Sequence, residues 1–104
     1  NETVALGEQW ANDKTAFELL KDTESSLKSD IFESLRNDGH NTTSAEKLIA
    51  KDEKYIEHIK QKNIALKKFL TSQVRYESKK KLDDLLQTDE VNKRHEMKMS
   101  GYQT

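Results

Sequence analysis

Hydrophobic residues recur every three or four positions along most of the chain, which is the spacing of one face of an α-helix. In the first part of the sequence, Asp13 and Glu24 interrupt this face and Leu19 lies off it. The pattern predicts an amphipathic helix over about residues 4–37. The apolar face of this helix consists of Leu6, Trp10, Phe17, Leu20, Leu27, Ile31, Phe32 and Leu35.

A second helix is predicted over about residues 44–97, followed by a tail over residues 98–104. Its central apolar line is formed by Leu48, Tyr55, Ile59, Leu66 and Leu70, with Ile49, Ile56 and Val74 beside it. After Val74 the apolar residues no longer share one direction; they are Tyr76, Leu82, Leu85, Leu86 and Val91. This change of pattern fits either a straight helix or one with a kink or a second cap at Thr88.

The polar stretch between the two helices indicates a chain reversal over residues 38–43. Gly39 suits the left-handed position that follows a helix C-terminus. Thr43 and Glu46 have the spacing of a capping box, in which two side chains bond backbone N–H groups at the start of a helix. The sequence therefore predicts an antiparallel helical hairpin.

In a hairpin closed at this turn, Trp10 lies near Leu70 and Ile31 lies near Ile49. Residues after about 77 then extend past the first helix. The composition agrees with this shape, because 33% hydrophobic and 36% charged residues suit narrow apolar stripes better than a thick core. We expect residues 1–104 to form one all-α, coiled-coil-like domain with an overhanging C-terminal helix.

Self-association is expected because two helices of this size rarely bury enough apolar surface to be stable alone. The chain is therefore predicted to form a homo-oligomer or to dock on a partner protein. The residues predicted to carry self-association are Trp10, Phe17, Leu82, Leu85 and Leu86.

Charge is distributed unevenly, with −5 in residues 1–38 and +7 in residues 60–81, although the whole chain carries −1. One interpretation is a nucleic-acid-binding helix whose basic side chains meet phosphates and whose Tyr76 stacks on a base. The other is that the basic segment neutralises the acidic first helix across the hairpin. The candidate nucleic-acid-binding residues are Lys67, Lys68, Arg75, Tyr76, Lys79, Lys80 and Lys81, the last three past the expected end of the first helix.

The remaining sequence features do not predict an active site. Cysteine is absent, the histidines His40, His58 and His95 are far apart, and His58 is expected on a polar surface. No zinc-protease, phosphate-loop or nucleophile-elbow motif occurs. We therefore expect no catalytic residues, metal, cofactor or small-molecule substrate. With no apolar run of membrane-spanning length and no recognisable signal peptide, a cytoplasmic protein without membrane contact is expected.

Short motifs along the second helix resemble a protein family. They are Ala45-Glu46 with Leu48 and Ala50, then Tyr55 with His58, then Val74-Arg75-Tyr76, then Arg94 with Glu96-Met97. This half of the chain is similar in pattern to small helical proteins of tailed phages and prophages, which are often encoded near recombination and single-strand-binding genes. The resemblance implies an accessory role in DNA recombination or replication and supplies no catalytic residues.

An alternative remains, in which the chain is a protein-binding coiled-coil module without nucleic-acid contact. It would serve as an adaptor, an inhibitor of a host protein or a structural component. The acidic first helix would then be able to mimic a phosphate backbone. The acidic residues concerned are Glu2, Glu8, Asp13, Glu18, Asp22 and Glu24.

Overall fold

The computed structural model describes the backbone of residues 1–102 and the side chains of residues 1–95. It contains three helices in this range: α1 (Glu2–Asn37), α2 (Thr42–Ile49) and α3 (Glu53–Tyr102). Helix α1 packs against α3 in an antiparallel, hairpin-like arrangement, and α2 packs against α1. The molecule is a rod of 93 × 22 × 15 Å. The predicted all-α hairpin is confirmed.

Helix α1 begins and ends at residues whose side chains or backbone cap it. The Asn1 side chain accepts a hydrogen bond from the Thr3 backbone N–H, so the helix begins two residues earlier than predicted. At the other end, Gly39 has φ +99° and its N–H donates to the Arg36 carbonyl, while the His40 N–H donates to the Leu35 carbonyl. These two bonds form a Schellman motif, which confirms the predicted role of Gly39.

The predicted second helix is wrong in its first part, because the structure divides it into α2 and α3. Helix α2 begins after Asn41, whose side chain accepts from the Ser44 N–H, and not after Thr43 as the capping-box spacing had indicated. It ends at Ile49, and the Asp52 carboxylate then accepts from the Lys54 N–H and caps α3. The helix is therefore divided where no glycine or proline occurs, and the strong N-cap residue Asp52 starts the new helix.

The register of the hairpin also differs from the prediction. Trp10 stacks on Tyr76, with ring centroids 5.2 Å apart, and does not lie opposite Leu70. This is a shift of six residues, about 9 Å along α3, and it follows because α2 lengthens the connection between the long helices. Seven residues further along α1, Phe17 stacks on Phe69 at 5.9 Å, and the regular heptad spacing is that of coiled coils.

The predicted apolar face of α1 is confirmed, because all eight of its residues are buried or half-buried, with Ile31 only 6% exposed. The predicted line along α3 is only partly correct. Tyr55, Ile59 and Leu66 are half-buried, but Leu70 and Val74 are 47% and 62% exposed. The seam between α1 and α3 therefore runs beside part of the apolar stripe of α3 and not along all of it.

The C-terminal part of α3 extends past α1, as predicted, although the overhang begins later. The last cross-hairpin bond joins the Thr3 hydroxyl to the Asp83 carboxylate, so the overhang starts near residue 84 and not near 77. The Thr88 hydroxyl donates to the Asp84 carbonyl within the helix and makes no second cap. The helix continues through most of the predicted tail to Tyr102, and residues 103–104 lie outside the described part of the chain.

Candidate nucleic-acid interface

Two basic residues of the segment 60–81 are paired with acidic residues of the hairpin. The Lys62 ammonium lies 3.1 Å from a Glu24 carboxylate oxygen, across the seam. The Lys79 ammonium lies 3.1 Å from Asp83 and 3.9 Å from Glu2. Lys79 was predicted to lie past the end of the first helix, but the shifted register brings it level with the N-terminus of α1. The neutralisation hypothesis is therefore correct for these two residues.

The electrostatics of these pairs follow from their hydrogen bonds. The Lys62 ammonium lowers the pKa of the Glu24 carboxyl by donating a hydrogen bond to it. The Thr3 hydroxyl and then the Lys79 ammonium lower the pKa of Asp83 in the same way, and Asp83 raises the pKa of Lys79. The charged forms of Glu24, Asp83 and Lys79 are thus stabilised by contacts within the hairpin.

The position of Tyr76 does not suit the predicted role of this residue in base stacking. Its ring stacks on Trp10, and an added Cβ on Gly7 would lie 3.2 Å from a carbon of the same ring. A base cannot stack on the ring face that Trp10 covers. Like Trp10, Phe17 is engaged within the chain, where it packs on Phe69. The structure thus places Tyr76, Trp10 and Phe17 in the seam of the hairpin.

Five basic residues remain together on the outer side of α3, and we call them the basic face: Lys60, Lys67, Lys68, Arg75 and Lys81. All five are exposed and form no ion pair with any residue of the range 1–95. Lys60, Lys67 and Lys81 repeat at multiples of seven residues along one line of the helix, and Lys68 and Arg75 form a second line about 100° around it. From residue 60 to residue 81 the face is about 31 Å long.

A shallow groove borders the basic face where α1 and α3 meet. It is lined by Gln9 and Asp13 from α1 and by Lys67, Lys68 and Arg75 from α3, among others. The buried Ser72 hydroxyl donates to the Asp13 carboxylate, and this bond draws the one acidic group of the groove toward the seam. The rim of the groove is therefore mainly cationic.

Lys80 lies apart from the basic face. It lies on the seven-residue line of Ile59 and Leu66, which borders the seam on the side away from Lys68 and Arg75. It is exposed and forms no ion pair with a described residue. Of the seven predicted nucleic-acid-binding residues, the structure thus brings Lys67, Lys68 and Arg75 together at one groove, and Lys81 lies exposed further along α3.

His58 is not a surface residue as predicted, because its Nε2 donates a hydrogen bond to the Leu20 carbonyl at 2.6 Å. This bond links α3 to α1 and satisfies a backbone group of the seam. Within the described residues, there is no group of three or more side chains suited to holding a metal ion.

The acidic side of α1 is smaller than the sequence had indicated. Asp13 and Glu24 turn into the seam, and Glu2 lies beside Lys79. Only Glu8, Glu18 and Asp22 of the six predicted phosphate-mimicking residues remain exposed without a described ion pair. The positions of Asp13 and Glu24 on the apolar face already indicated their place in the seam, whereas the contact of Glu2 with Lys79 depends on the register of the hairpin.

Nothing in the described part of the chain has both the length and the apolar character of a membrane-crossing helix. Comparisons with protein-family models, with curated proteins and with solved structures found no match.

Proposed function

We propose that this chain is a cytoplasmic, non-enzymatic accessory protein of phage or prophage origin that acts in DNA recombination or replication. It self-associates and contacts the nucleic-acid backbone through the basic face. The observation that carries this proposal is the set of five exposed basic residues that remain unpaired after Lys62 and Lys79 are engaged within the hairpin.

The geometry of the basic face supports contact with phosphates and not with bases. Its residues lie in two lines along the outer side of α3 over about 31 Å, close to one turn of B-DNA at roughly 34 Å. Lysine ammonium groups act as point charges toward phosphate and carry no base specificity on their own. With Tyr76 engaged by Trp10, the face offers no aromatic ring for base stacking. We therefore expect salt-dependent, sequence-independent binding.

The experiment is a titration of fluorescently labelled single-stranded and double-stranded DNA at several salt concentrations. We expect dissociation constants of about 10⁻⁶–10⁻⁴ M, as for non-specific binding, with a steep loss of affinity as salt increases. In the variant Lys68→Gln/Arg75→Gln, the slope of log K against log salt should fall by about 1.8 for duplex DNA, since each phosphate contact contributes about 0.9.

The matched control is Lys47→Gln/Lys51→Gln, which removes the same charge from α2 and the turn after it. Lys47 and Lys51 are exposed and lie outside the basic face. A reduction of the slope by the control as large as that of the test variant would show that net charge, and not this face, sets the affinity. Absence of binding tighter than about 10⁻⁴ M would rule out direct contact with DNA.

A second candidate function is a protein-binding coiled-coil module, and the exposed leucines of the overhang favour it. Leu82, Leu85 and Leu86 are each at least half exposed on one side of α3. Recovery of a partner protein from nuclease-treated host lysate, together with absence of DNA binding, would favour this function over the first.

A further inference from the structure

We propose that one copy of this chain docks the overhang of its α3 on an apolar stripe of a second copy. This deepens the self-association in the proposed function and rests on it. The stripe consists of Ile56, Ile59, Leu66 and Leu70 on α3 and is called the lysine-flanked stripe. The docking element, called the leucine face, consists of Leu82, Leu85 and Leu86.

The lysine-flanked stripe lies beside the seam and is incompletely covered by the hairpin. Ile59 and Leu66 follow the seam residues Tyr55 and Lys62 by four positions, so both lie along the same edge. They are half-buried, whereas Ile56 and Leu70 are 41% and 47% exposed. From Ile56 to Leu70 the stripe is about 21 Å long.

Lysines border this stripe on both sides. Lys14, Lys21 and Lys28 of α1 repeat every seven residues, each four positions after a seam residue, so they follow the edge of α1 that faces the stripe. The Lys28 ammonium lies 5.5 Å from the centroid of the Tyr55 ring, which shows that lysines of this edge reach α3. On the far side, Lys60 and Lys67 of the basic face border the stripe.

The three α1 lysines keep their ammonium groups out of ion pairs with the described side chains, although that of Lys28 lies over the Tyr55 ring. All three are exposed. The surface is thus an apolar floor, interrupted by Asn63 between Ile56 and Leu70, with cationic rims. Its complement is an amphipathic helix with acidic edges.

The overhang of α3 has the properties of this complement. The leucine face spaces its residues at three and four positions, so they point to one side of the helix. Asp89 extends the same side and Glu90 lies at its edge. From Leu82 to Val91 this segment is about 14 Å long, so it fits within the stripe. Because α1 ends its cover at Asp83, this segment has no other helix to pack on.

The accessible surface of the chain is larger than that of a globular monomer of the same mass, which favours packing against a second copy. The accessible surface is 8342 Å² for a mass of 12.1 kDa. A globular monomer of that mass exposes about 6,000 Å². The excess is larger than the area that one chain loses in a standard protein–protein interface, about 800 Å².

The experiment exchanges charges between the two surfaces and measures mass by light scattering coupled to size exclusion, without nucleic acid. The stripe variant is Lys21→Glu/Lys28→Glu, at the edge of the lysine-flanked stripe, and the overhang variant is Asp89→Lys/Glu90→Lys. Each variant alone sets like charges against each other, and we expect each to associate at least about tenfold more weakly than the native chain. An equimolar mixture of the two should recover association, because each charge-reversed surface then finds its complement.

Two control variants reverse charge away from the proposed contact. Asp84 lies on the side of α3 opposite the leucine face, and Lys54 lies on the other side of the seam from the stripe. Asp84→Lys and Lys54→Glu should therefore leave the mass of the assembly unchanged. Circular dichroism verifies that every variant keeps its helices, and recovery in the mixture cannot arise from misfolded chains.

A native chain that stays monomeric at high micromolar concentration would overturn this proposal, as would a mixture that fails to recover association. Loss of association on Leu85→Ser with no effect of either charge variant would show that overhangs pair with each other instead. DNA binding is measured separately, through Lys68 and Arg75, which belong to neither of the two charge variants. Failure of docking with DNA binding intact would therefore leave the proposed nucleic-acid contact standing.

Discussion

Breaking the ion pair between Glu24 and Lys62 tests whether polar residues in the seam stabilise the hairpin. The two groups are 3.1 Å apart, and their side chains are 21% and 23% exposed. We consider the single variants Glu24→Met and Lys62→Met and the double variant that carries both. Met keeps most of the side-chain length, so each single variant leaves one charge in the seam without its partner.

The expected magnitude follows from the distance and the exposure. Two unit charges at this separation attract by about 1.3 kcal/mol in water and by about 5 kcal/mol at an effective dielectric of 20. The remaining exposure places the pair between these limits, and desolvation of both ions opposes the attraction. We expect each single variant to lose about 1–2 kcal/mol of unfolding free energy. The double variant should be at least as stable as the native chain, because an apolar pair replaces a desolvated one.

The assay is urea unfolding at pH 7 and at one low protein concentration, so that association contributes equally to all samples. Helix content is followed by circular dichroism and the seam by the fluorescence of Trp10, the only tryptophan. The exposed pair of Lys93 and Asp89, 3.2 Å apart with side chains 70% and 61% exposed, provides the control. Lys93→Met should change stability by less than about 0.5 kcal/mol.

The reasoning fails if Lys62→Met changes stability no more than Lys93→Met does. It also fails if the double variant is less stable than the native chain, because the ion pair would then stabilise the hairpin more than the apolar pair that replaces it.

Three further predictions concern the ends of the helices and the pH. Since the pKa values of Glu24 and Asp83 are lowered in the folded chain, their stabilisation is complete above the unfolded values of about 4. This stabilisation is lost as the pH falls through the folded pKa values, so thermal melts between pH 7 and 2 should show a falling melting temperature. Glu24→Gln should make the melting temperature depend less steeply on pH. Gly39→Ala should lower the free energy of unfolding, measured with urea, by about 1–2 kcal/mol, because φ is +99° at this position. An added Cβ meets no atom within 4 Å, so the loss reports backbone strain alone. Asp52→Ala should cost about 1 kcal/mol by loss of the cap of α3, seen as a melting point lower by about 4–8 °C, whereas Lys51→Ala should have little effect.

The sequence contained enough information for the fold class and for one face of one helix. The regular apolar spacing in α1 and the position of Gly39 are local properties of the chain, and both appear in the structure as predicted. The register was not predictable in the same way, because it depends on the length of the connection. Because α3 begins only at the N-cap Asp52, the partners of Trp10, Phe17 and Glu24 lie six residues further along the chain than a turn at residues 38–43 predicts.

The candidate site changed for the same reason. With the shifted register, Tyr76 meets Trp10 and Lys79 meets Glu2, so two residues expected at a surface became part of the hairpin. Lys67, Lys68 and Arg75 were insensitive to this shift because they lie on the outer side of α3. Sequence periodicity can separate inside from outside on a helix, but it does not reveal which polar residues find partners across the seam.

The seam contains two aromatic layers, Trp10 on Tyr76 and Phe17 on Phe69, followed by the ionic layer of Glu24 and Lys62. This order of layers has a mechanical consequence. Sliding α3 by seven residues would bring Glu24 level with Phe69 or Tyr55, and either slip would leave a carboxylate against an aromatic ring. Trp10 would at the same time lose Tyr76 as its stacking partner and meet either Phe69 or the Asp83 carboxylate. Coiled coils that transmit signals by changing register need near-equivalent layers, and this seam lacks them. The hairpin is therefore a strut of constant length, which holds its basic face and its overhang at a fixed separation.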